Sequence, residues 1–219
     1  MTQNATNEIF DPFGDYQVRG YLRNTLAEMD LSIMRKWEHA VYVSNIVSVV
    51  GYVRNDKSIT YNTLLNAHRQ IFGTIYPWAG SDRSNFNIAI CKGGYRTLFA
   101  HPLSIQRAAE YAISRASVPS DLGKNPGEIF GFFAHAHPFL DGNGRTILTV
   151  YSELCRRAGF LIDWPQIPKN DFLMALTKEL MKPSAGHLDS LLRPYMKEVK
   201  LSARKMAQHL TDNFGRPRG

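Results

Sequence analysis

The segment from residue 135 to residue 146, HAHPFLDGNGRT, constrains the fold most, because it places a tight turn between two apolar stretches. Pro138 ends any helix that reaches it, and the glycines of DGNG allow backbone conformations that other residues avoid. The preceding stretch, NPGEIFGFFAHAH, is apolar on nearly all sides of a helix and should lie centrally. The following stretch, TILTVYSELCRRAG, has helical spacing and a closing glycine at residue 159. The sequence therefore predicts two buried helices joined by a glycine-rich turn.

The turn itself has the composition of an anion-binding site. Its Gly-Asn-Gly sequence immediately precedes the second helix, whose first amide groups lack intrahelical partners and carry the positive end of the helix dipole. An arginine follows directly and adds planar donors and a permanent charge, which together suit a phosphate group. The predicted phosphate-binding residues are Gly142, Asn143, Gly144 and Arg145.

Two further side chains of the turn suit group transfer to or from a phosphate. Asp141 lies at the edge of the predicted anion site and can hold a hard cation such as Mg²⁺ beside phosphate oxygens. His137 ends the preceding helix, faces the same turn and is the natural general base. Phe139 is expected to anchor the turn in the core.

Three other interpretations of this segment are weaker. His135 and His137 form half of a metal site at most, because they point to different helix sides and Pro138 interrupts the spacing. The DGNG sequence resembles the start of an EF-hand loop, yet Arg145 and Thr146 replace the expected ligand and glycine. No GxxxxGK[ST] sequence occurs, so P-loop NTPase chemistry is disfavoured.

Helical spacing also dominates the N-terminal part of the chain. Asp30 is predicted to cap a first helix that ends near Gly51, and Thr60 a second one that GTIYPWAG ends. The predicted buried face of the first helix comprises Ile33, Trp37, Ala40, Val41, Ser44 and Val47. One side of the second comprises Leu64, Leu65, His68, Ile71 and Phe72.

Residues 85–99 have a different pattern. The alternating stretch 85–91, the KGG turn and the stretch YRTLF predict a β-hairpin. Pro102 then opens a helix that ends near Val118 and Pro119.

The central and C-terminal segments complete a mostly helical prediction. Asn125 is expected to cap the helix before the central turn, with Glu128 completing a capping box. Helices at about 170–181 and 187–200 follow, and a basic tail occupies 201–219.

Composition bounds the class of protein. A chain of 219 residues that is 44% hydrophobic suits one globular domain. It contains no apolar run of 18 residues, so we expect no membrane span. It has no secretory signal, and its two cysteines form no CxxC pair, so we expect a cytoplasmic, reducing environment. The net charge of +7 favours anionic partners, but no nucleic-acid-binding signature accompanies it, and specific nucleic-acid binding is not expected.

The segment HPFLDGNGR, residues 137–145, resembles the active-site signature of the Fic family, HxFx[DE]GNGRxxR. IFGTIYPWAGSDR upstream is similar to the end of a family helix and its Trp-Ala-Gly turn, and GGYRTLFAHP resembles the hairpin flap of the family. The resemblance extends over most of residues 10–200. It implies an all-α Fic fold, a helical bundle with a β-hairpin flap beside the active-site loop. A Fic domain is thus expected over 1–200, with its motif region at about 60–160.

The resemblance also implies an activity. Most such enzymes transfer AMP from ATP to a Ser, Thr or Tyr hydroxyl of a target protein. By position, His137 would deprotonate the hydroxyl and Asp141 would hold Mg²⁺ against the α- and β-phosphates. Backbone amides of 142–144 and the Asn143 side chain would bind phosphates, with Arg145 at the β/γ end. The flap that would dock the target by main-chain pairing comprises Cys91, Lys92, Gly93, Gly94, Tyr95, Arg96, Thr97, Leu98 and Phe99.

One departure from the signature leaves the donor open. Its last arginine, three residues after Arg145, is Leu148 here. Another cation can substitute for it, nucleotide affinity can be weaker, or the donor can be UTP, GTP or CDP-choline rather than ATP. A nucleotide-binding regulator without turnover is a further alternative.

The inhibitory pattern of self-inhibited relatives, [ST]xxxE[GN], is absent, because no glutamate precedes a Gly or Asn. The resemblance then suggests either a separate antitoxin-like inhibitor or a free effector, delivered into a host cell.

Overall fold

The computed structural model describes residues 23–87, 89–92, 97–198 and 201–214. Within them the helices are α1 (Leu31–Asn55), α2 (Tyr61–Phe72), α3 (Ile105–Ala116), α4 (Pro119–Lys124), α5 (Pro126–Ala136), α6 (Asn143–Arg157), α7 (Lys169–Met181), α8 (His187–Leu192) and α9 (Ala203–Phe214). Short 3₁₀ turns lie at Arg83–Phe86, Pro102–Ser104, Trp164–Gln166 and Arg193–Tyr195. Two antiparallel pairs join β1 (Cys91–Lys92) to β2 (Thr97–Leu98) and β3 (Leu161–Ile162) to β4 (Met196–Lys197). The predicted all-α class with a hairpin is confirmed.

Helix α6 is the centre of the fold. Every residue from 146 to 155 is buried, and the helix packs against α1, α2 and α5. Its polar side chains find partners there: Thr146 Oγ1 donates to the Gly142 carbonyl at 3.0 Å, and Trp164 Nε1 donates to Ser152 Oγ at 3.0 Å. Gly159, with φ of +94°, ends this region as predicted. The turn before α6 is thus anchored to the most buried element of the molecule.

Helix α5 lies centrally, as predicted, but its N-terminus is capped differently. Asp189, at the start of α8, accepts hydrogen bonds from the amides of Gly127 at 2.9 Å and Glu128 at 3.1 Å. The predicted cap, Asn125, instead donates to Asp121, and the Glu128 carboxylate pairs with Arg115 at 3.0 Å. A carboxylate from a distant helix replaces the local capping box, because α8 approaches α5 closely enough to reach its free amides.

The predicted buried face of α1 is wrong. Ile33, Trp37 and Val47 are exposed by 37%, 46% and 47%, respectively. The buried residues of α1 are Met34, Glu38, Tyr42, Ile46, Val49, Val50 and Val53. Because α1 is apolar on two sides, its spacing alone could not identify the core side. The helix also continues through Gly51 to Asn55, so the predicted end is wrong as well.

Helix α2 agrees with its prediction more closely. Thr60 and Thr63 form a reciprocal capping box, and Thr60 N donates to Thr63 Oγ1 at 2.9 Å. All of its predicted apolar side is buried except Leu65, which is half-buried.

The hairpin is present. Among the residues that the structure describes, Cys91–Lys92 pairs with Thr97–Leu98, and residues 83–86, expected in part to be strand, form a 3₁₀ turn. The predicted turn residues Gly93, Gly94, Tyr95 and Arg96 lie outside the described residues. After the hairpin, Pro102 opens a 3₁₀ turn before α3, and Pro119 begins the short helix α4 rather than closing α3.

The C-terminal predictions need two corrections. The expected helix at 187–200 ends at Leu192, and β4 pairs with β3 instead. Residues 203–214, expected as part of a basic tail, form α9, which packs on α1 and buries Met206, Ala207 and Leu210. An apolar face at helical spacing explains this packing.

Within the described part of the chain, no helix is both long and apolar enough to cross a bilayer.

Candidate active site

The base predicted at His137 terminates α5 in a left-handed conformation, with φ of 40° and ψ of 59°. That conformation costs a residue other than glycine about 1–2 kcal/mol. Its carbonyl accepts a 2.7 Å hydrogen bond from Arg83 Nε. The His137 ring is half-buried and stacks on Phe99, with ring centroids 3.8 Å apart and planes inclined by 15°. The imidazole therefore faces the predicted flap.

Arg83 fastens the entry to the turn. Besides its bond to His137, its backbone N–H donates to the Pro138 carbonyl at 2.8 Å, and Nη2 donates to Ala100 at 3.0 Å. The whole residue is buried. Burial lowers the pKa of this guanidinium, while neighbouring Asp82 opposes that change. The role of Arg83 was not predicted, because nothing in the local sequence pattern shows that its side chain reaches the turn.

His68 clamps the other side of the turn from α2. Its Nδ1 accepts from the Gly80 N–H at 2.9 Å, which leaves the proton on Nε2. Nε2 lies 3.0 Å from the Asp141 carbonyl and donates to it. The ring stacks on Phe139 with centroids 3.8 Å apart, and Phe139 is fully buried as predicted. Burial lowers the pKa of His68 to about 3, so the ring is neutral.

Gly142 is required by this packing. Its φ is +77°, and a Cβ there would lie 2.5 Å from Phe72 Cε2 and 3.0 Å from His68 Nε2. Gly144 differs, because a Cβ would meet nothing within 4 Å. One glycine thus allows the turn, whereas the other opens the helix N-terminus to solvent, where a ligand could approach.

Asp141 remains accessible beside that opening. Its side chain is 45% exposed, and Oδ1 accepts from the Gly142 amide at 2.5 Å. A single exposed carboxylate next to a phosphate site is a common arrangement for Mg²⁺, which takes its other ligands from phosphates and water. No group of three or more His, Cys, Asp or Glu that could hold a metal occurs among the described residues, which include both histidines of the HAH sequence.

Asn143 has a structural role that the resemblance did not imply. Its Oδ1 accepts from the Phe139 amide at 2.8 Å, and its Nδ2 donates to the Phe139 carbonyl at 2.6 Å. The residue is only 5% exposed. These two bonds close the loop onto its own backbone, and the contact of the Asn143 side chain with phosphate stays a prediction.

Arg145 lies under the turn and is held by three groups. Its Nη2 donates to Glu38 Oε2 at 2.8 Å and lies 4.0 Å from Asp141 Oδ1, and its guanidinium carbon is 4.6 Å from the Phe72 ring centre. Burial alone would lower the pKa of Arg145, but the two carboxylates outweigh it and raise the pKa. The arginine is charged and fixed in direction.

Glu38 is a further residue beside the turn whose contacts the sequence did not predict. It is 6% exposed, and Tyr76 donates its hydroxyl to Oε1 at 2.6 Å. Burial raises the pKa of this carboxyl, Asp141 adds to the increase, and Arg145 opposes it. The available signal was a charged residue on the otherwise apolar side of α1.

The predicted flap lies beside the end of α5. The Ala100 amide donates to the His135 carbonyl at 2.8 Å, which ties the chain after β2 to that helix. Phe99 covers the His137 ring. Leu148, the departure from the signature, is 1% exposed and belongs to the core rather than to the opening.

Comparison with known proteins agrees with this geometry. Residues 58–155 match the model of the Fic/DOC family. Protein adenylyltransferase VbhT of Bartonella schoenbuchensis is 25% identical over 203 residues, which is 89% of this chain and 41% of that protein. A Sinorhizobium fredii protein, probable protein adenylyltransferase y4lH, is 31% identical over 120 residues, 51% of this chain and 60% of that protein. The chain thus spans less than two thirds of either relative.

A solved structure extends the comparison to the fold. BepC of Bartonella tribocorum, a VirB-translocated effector crystallised with bound AMPPNP, superposes with a TM-score of 0.66 at 20% identity, over 84% of this chain and 96% of that one. Its helical architecture is therefore the architecture of this protein. The region 58–155 that matches the Fic/DOC family contains both the His68 clamp and the turn from His137 to Arg145, so the similarity to that family covers the residues that build the site.

Proposed function

We propose that this protein is a protein adenylyltransferase, which transfers AMP from ATP to a Ser, Thr or Tyr hydroxyl of a target protein. The observation that carries the proposal is the turn before α6. It carries His137, whose ring stacks on Phe99, and the exposed Asp141 carboxylate, and it leads into a helix N-terminus that is open at Gly144. The Arg145 guanidinium, in the first turn of that helix, lies 4.0 Å from Asp141. The relatives named as adenylyltransferases and the AMPPNP-bound effector support it.

In this mechanism the target hydroxyl attacks the α-phosphorus. A new P–O ester bond forms, the bond between the α- and β-phosphates breaks, and pyrophosphate leaves. An imidazole nitrogen of His137 takes the hydroxyl proton, and a general base of this kind is worth about 10²–10⁴ in rate. Arg145 and the amides of 142–144 stabilise the charge that develops on the leaving group. Mg²⁺ at Asp141 would neutralise further phosphate charge.

The flap has a role in docking the target. Main-chain pairing with the edge of β1 or β2 would add a strand of the target, which places its hydroxyl near His137 without demanding a particular sequence. The stacking of Phe99 on His137 supports this arrangement, because it joins the flap to the base.

The test is transfer of label from [α-³²P]ATP to proteins of a bacterial or host lysate in the presence of Mg²⁺. We expect labelled protein with wild type and a loss of about 10²-fold or more with His137→Ala, whose ATP affinity should be retained. Absence of any labelled protein from wild type, or label that survives this substitution, would contradict the proposal.

A second candidate is transfer from another donor, such as UTP, GTP or CDP-choline. Burial of Leu148 favours testing it, because the structure places an apolar side chain where the signature has a cation. Mass spectrometry of labelled peptides separates the candidates, since each donor adds a different mass.

Partner and location form a further part of the proposal. The inhibitory sequence pattern is absent from this chain, so we place inhibition in a separate, antitoxin-like protein. The proposed site of action is the cytoplasm, either of the producing cell or of a host cell, and BepC, a translocated effector, motivates the latter. An inhibitor protein that is captured from the producing cell and blocks labelling would support action in the producing cell.

A further inference from the structure

The Glu38–Arg145 pair joins two elements that sequence analysis did not connect. Glu38 lies on α1 and Arg145 in the first turn of α6, 107 positions apart in the chain. Glu38 accepts one hydrogen bond from Nη2, at 2.8 Å. Within the described residues, Nε and Nη1 make no hydrogen bond, and the side chain is 18% exposed. The pair therefore fixes the guanidinium and still leaves it donors for an anion.

Glu38 is itself held in place. Tyr76 donates to its second oxygen at 2.6 Å, and the Phe72 ring lies against the guanidinium it pairs with. Both carboxylate oxygens thus have a partner, and the carboxylate has little freedom to rotate. A buried carboxylate with both oxygens engaged imposes a direction on the planar fork of an arginine.

The pair also sets the charge of the site. Glu38 and Asp141 each contribute a negative charge and Arg145 a single positive charge, and Leu148 adds none. Before any ligand binds, these side chains therefore sum to a negative charge. A polyphosphate that enters without a cation meets repulsion from both carboxylates, and this repulsion falls if either charge is removed.

We infer that Glu38 is a positioning residue of the nucleotide site: it aims the Arg145 guanidinium at the phosphates and makes their binding dependent on a divalent cation. The inference rests on the proposed function, because it assumes that the anion at this turn is a nucleotide phosphate. Glu38 itself contacts no reacting atom and acts through Arg145.

Two substitutions separate the parts of this role. Glu38→Gln keeps an oxygen that can accept from Arg145 and removes the charge, whereas Glu38→Ala removes both. The matched control is Glu153→Gln. Glu153 is equally buried, at 3% exposure, and pairs with Arg156 at 2.7 Å, but it lies at the far end of α6.

Calorimetry would measure ATP affinity with Mg²⁺ and, separately, with EDTA, and labelling would measure kcat on proteins shown to be folded by thermal melting. For Glu38→Gln we expect metal-free ATP to bind about three- to tenfold more tightly, because one repulsive charge is gone. We expect kcat to fall about tenfold, because the guanidinium is less firmly directed. Glu38→Ala should lower kcat further, and Glu153→Gln should leave metal-free affinity unchanged.

A purely structural glutamate would behave differently. It would lower affinity and kcat together, in proportion to lost folded protein, and Glu153→Gln would do the same. Unchanged or weaker metal-free binding by folded Glu38→Gln overturns the inference, even if wild type labels proteins normally. If wild type binds ATP but labels nothing, the proposed function fails while the affinity comparison still decides the role of Glu38. If the wild-type protein does not bind ATP, the proposed function and the proposed role of Glu38 are both wrong.

Discussion

At the scale of single residues, the loop from His137 to Arg145 is held by side chains that lie far from it in sequence. Arg83 bonds to the His137 carbonyl, and His68 to the Asp141 carbonyl. The motif residues could be assigned from the sequence because their types and spacing carry the chemistry. Arg83, His68 and Glu38 could not receive these roles, because only the packed fold brings them to the loop.

His68 makes stability depend on pH. Its pKa is lowered by burial to about 3, below the ordinary value of 6.5. The unfolded chain therefore binds a proton at this position more readily than the folded protein does. The contribution of neutral His68 is complete above pH 6.5 and is lost as pH falls from there towards 3, at up to about 1.4 kcal/mol per pH unit.

Urea unfolding at several pH values between 7 and 4.5 measures this effect. His68→Gln should be less stable at pH 7 but should lose stability less steeply on acidification. The control is His187→Gln, on the exposed first residue of α8, which should keep the wild-type slope. Equal slopes for wild type and His68→Gln would disprove the assignment.

At the scale of elements, prediction succeeded where Pro126, Pro138 and Gly159 mark the ends of helices, and it failed for α1, which is apolar on two sides. The helix before the turn follows its prediction. The helix after it ends as predicted but begins at Asn143, so Asn143 and Gly144 belong to the helix rather than to the turn before it. α1 does not, because its exposed side includes Ile33, Trp37 and Val47 and its buried side includes Glu38. The central position of α5 follows from its composition, but its cap comes from α8, which no local pattern can reveal.

Asp189 should therefore matter to stability more than a capping residue on the surface. It is 7% exposed and accepts from two amides at the start of α5. Asp189→Ala leaves those donors buried without a partner and should lower the free energy of unfolding by about 1–3 kcal/mol. Urea unfolding measures the loss, and Asp171→Ala, at an exposed position in the first turn of α7, should stay within about 0.5 kcal/mol of wild type. Equal losses of stability in Asp189→Ala and Asp171→Ala would contradict the capping role of Asp189.

At the scale of the whole molecule, the Fic-matched region is braced by elements outside it. Residues 58–155 contain the turn and its clamps, whereas α1 before it supplies Glu38 and α9 after it packs on α1. His209 also reaches the Ile162 carbonyl at 2.9 Å. The sequence did not predict α9, because the spacing of a short amphipathic helix does not show which element its apolar face covers.

A substitution at Leu210, which is fully buried on α9, tests whether the packing of α9 on α1 stabilises the protein. Leu210→Ala should lower the free energy of unfolding by about 2–5 kcal/mol, the usual cost of such a truncation in a core, while Arg204→Ala on the exposed side of α9 should change it little. Chemical denaturation measures both. Because α9 packs mainly on α1 and on the 3₁₀ turn Trp164–Gln166, we expect kcat per folded molecule and metal-free ATP affinity to stay at wild-type values in Leu210→Ala. A shift in metal-free affinity like that expected for Glu38→Gln would instead mean that α9 controls the direction of Arg145 through α1.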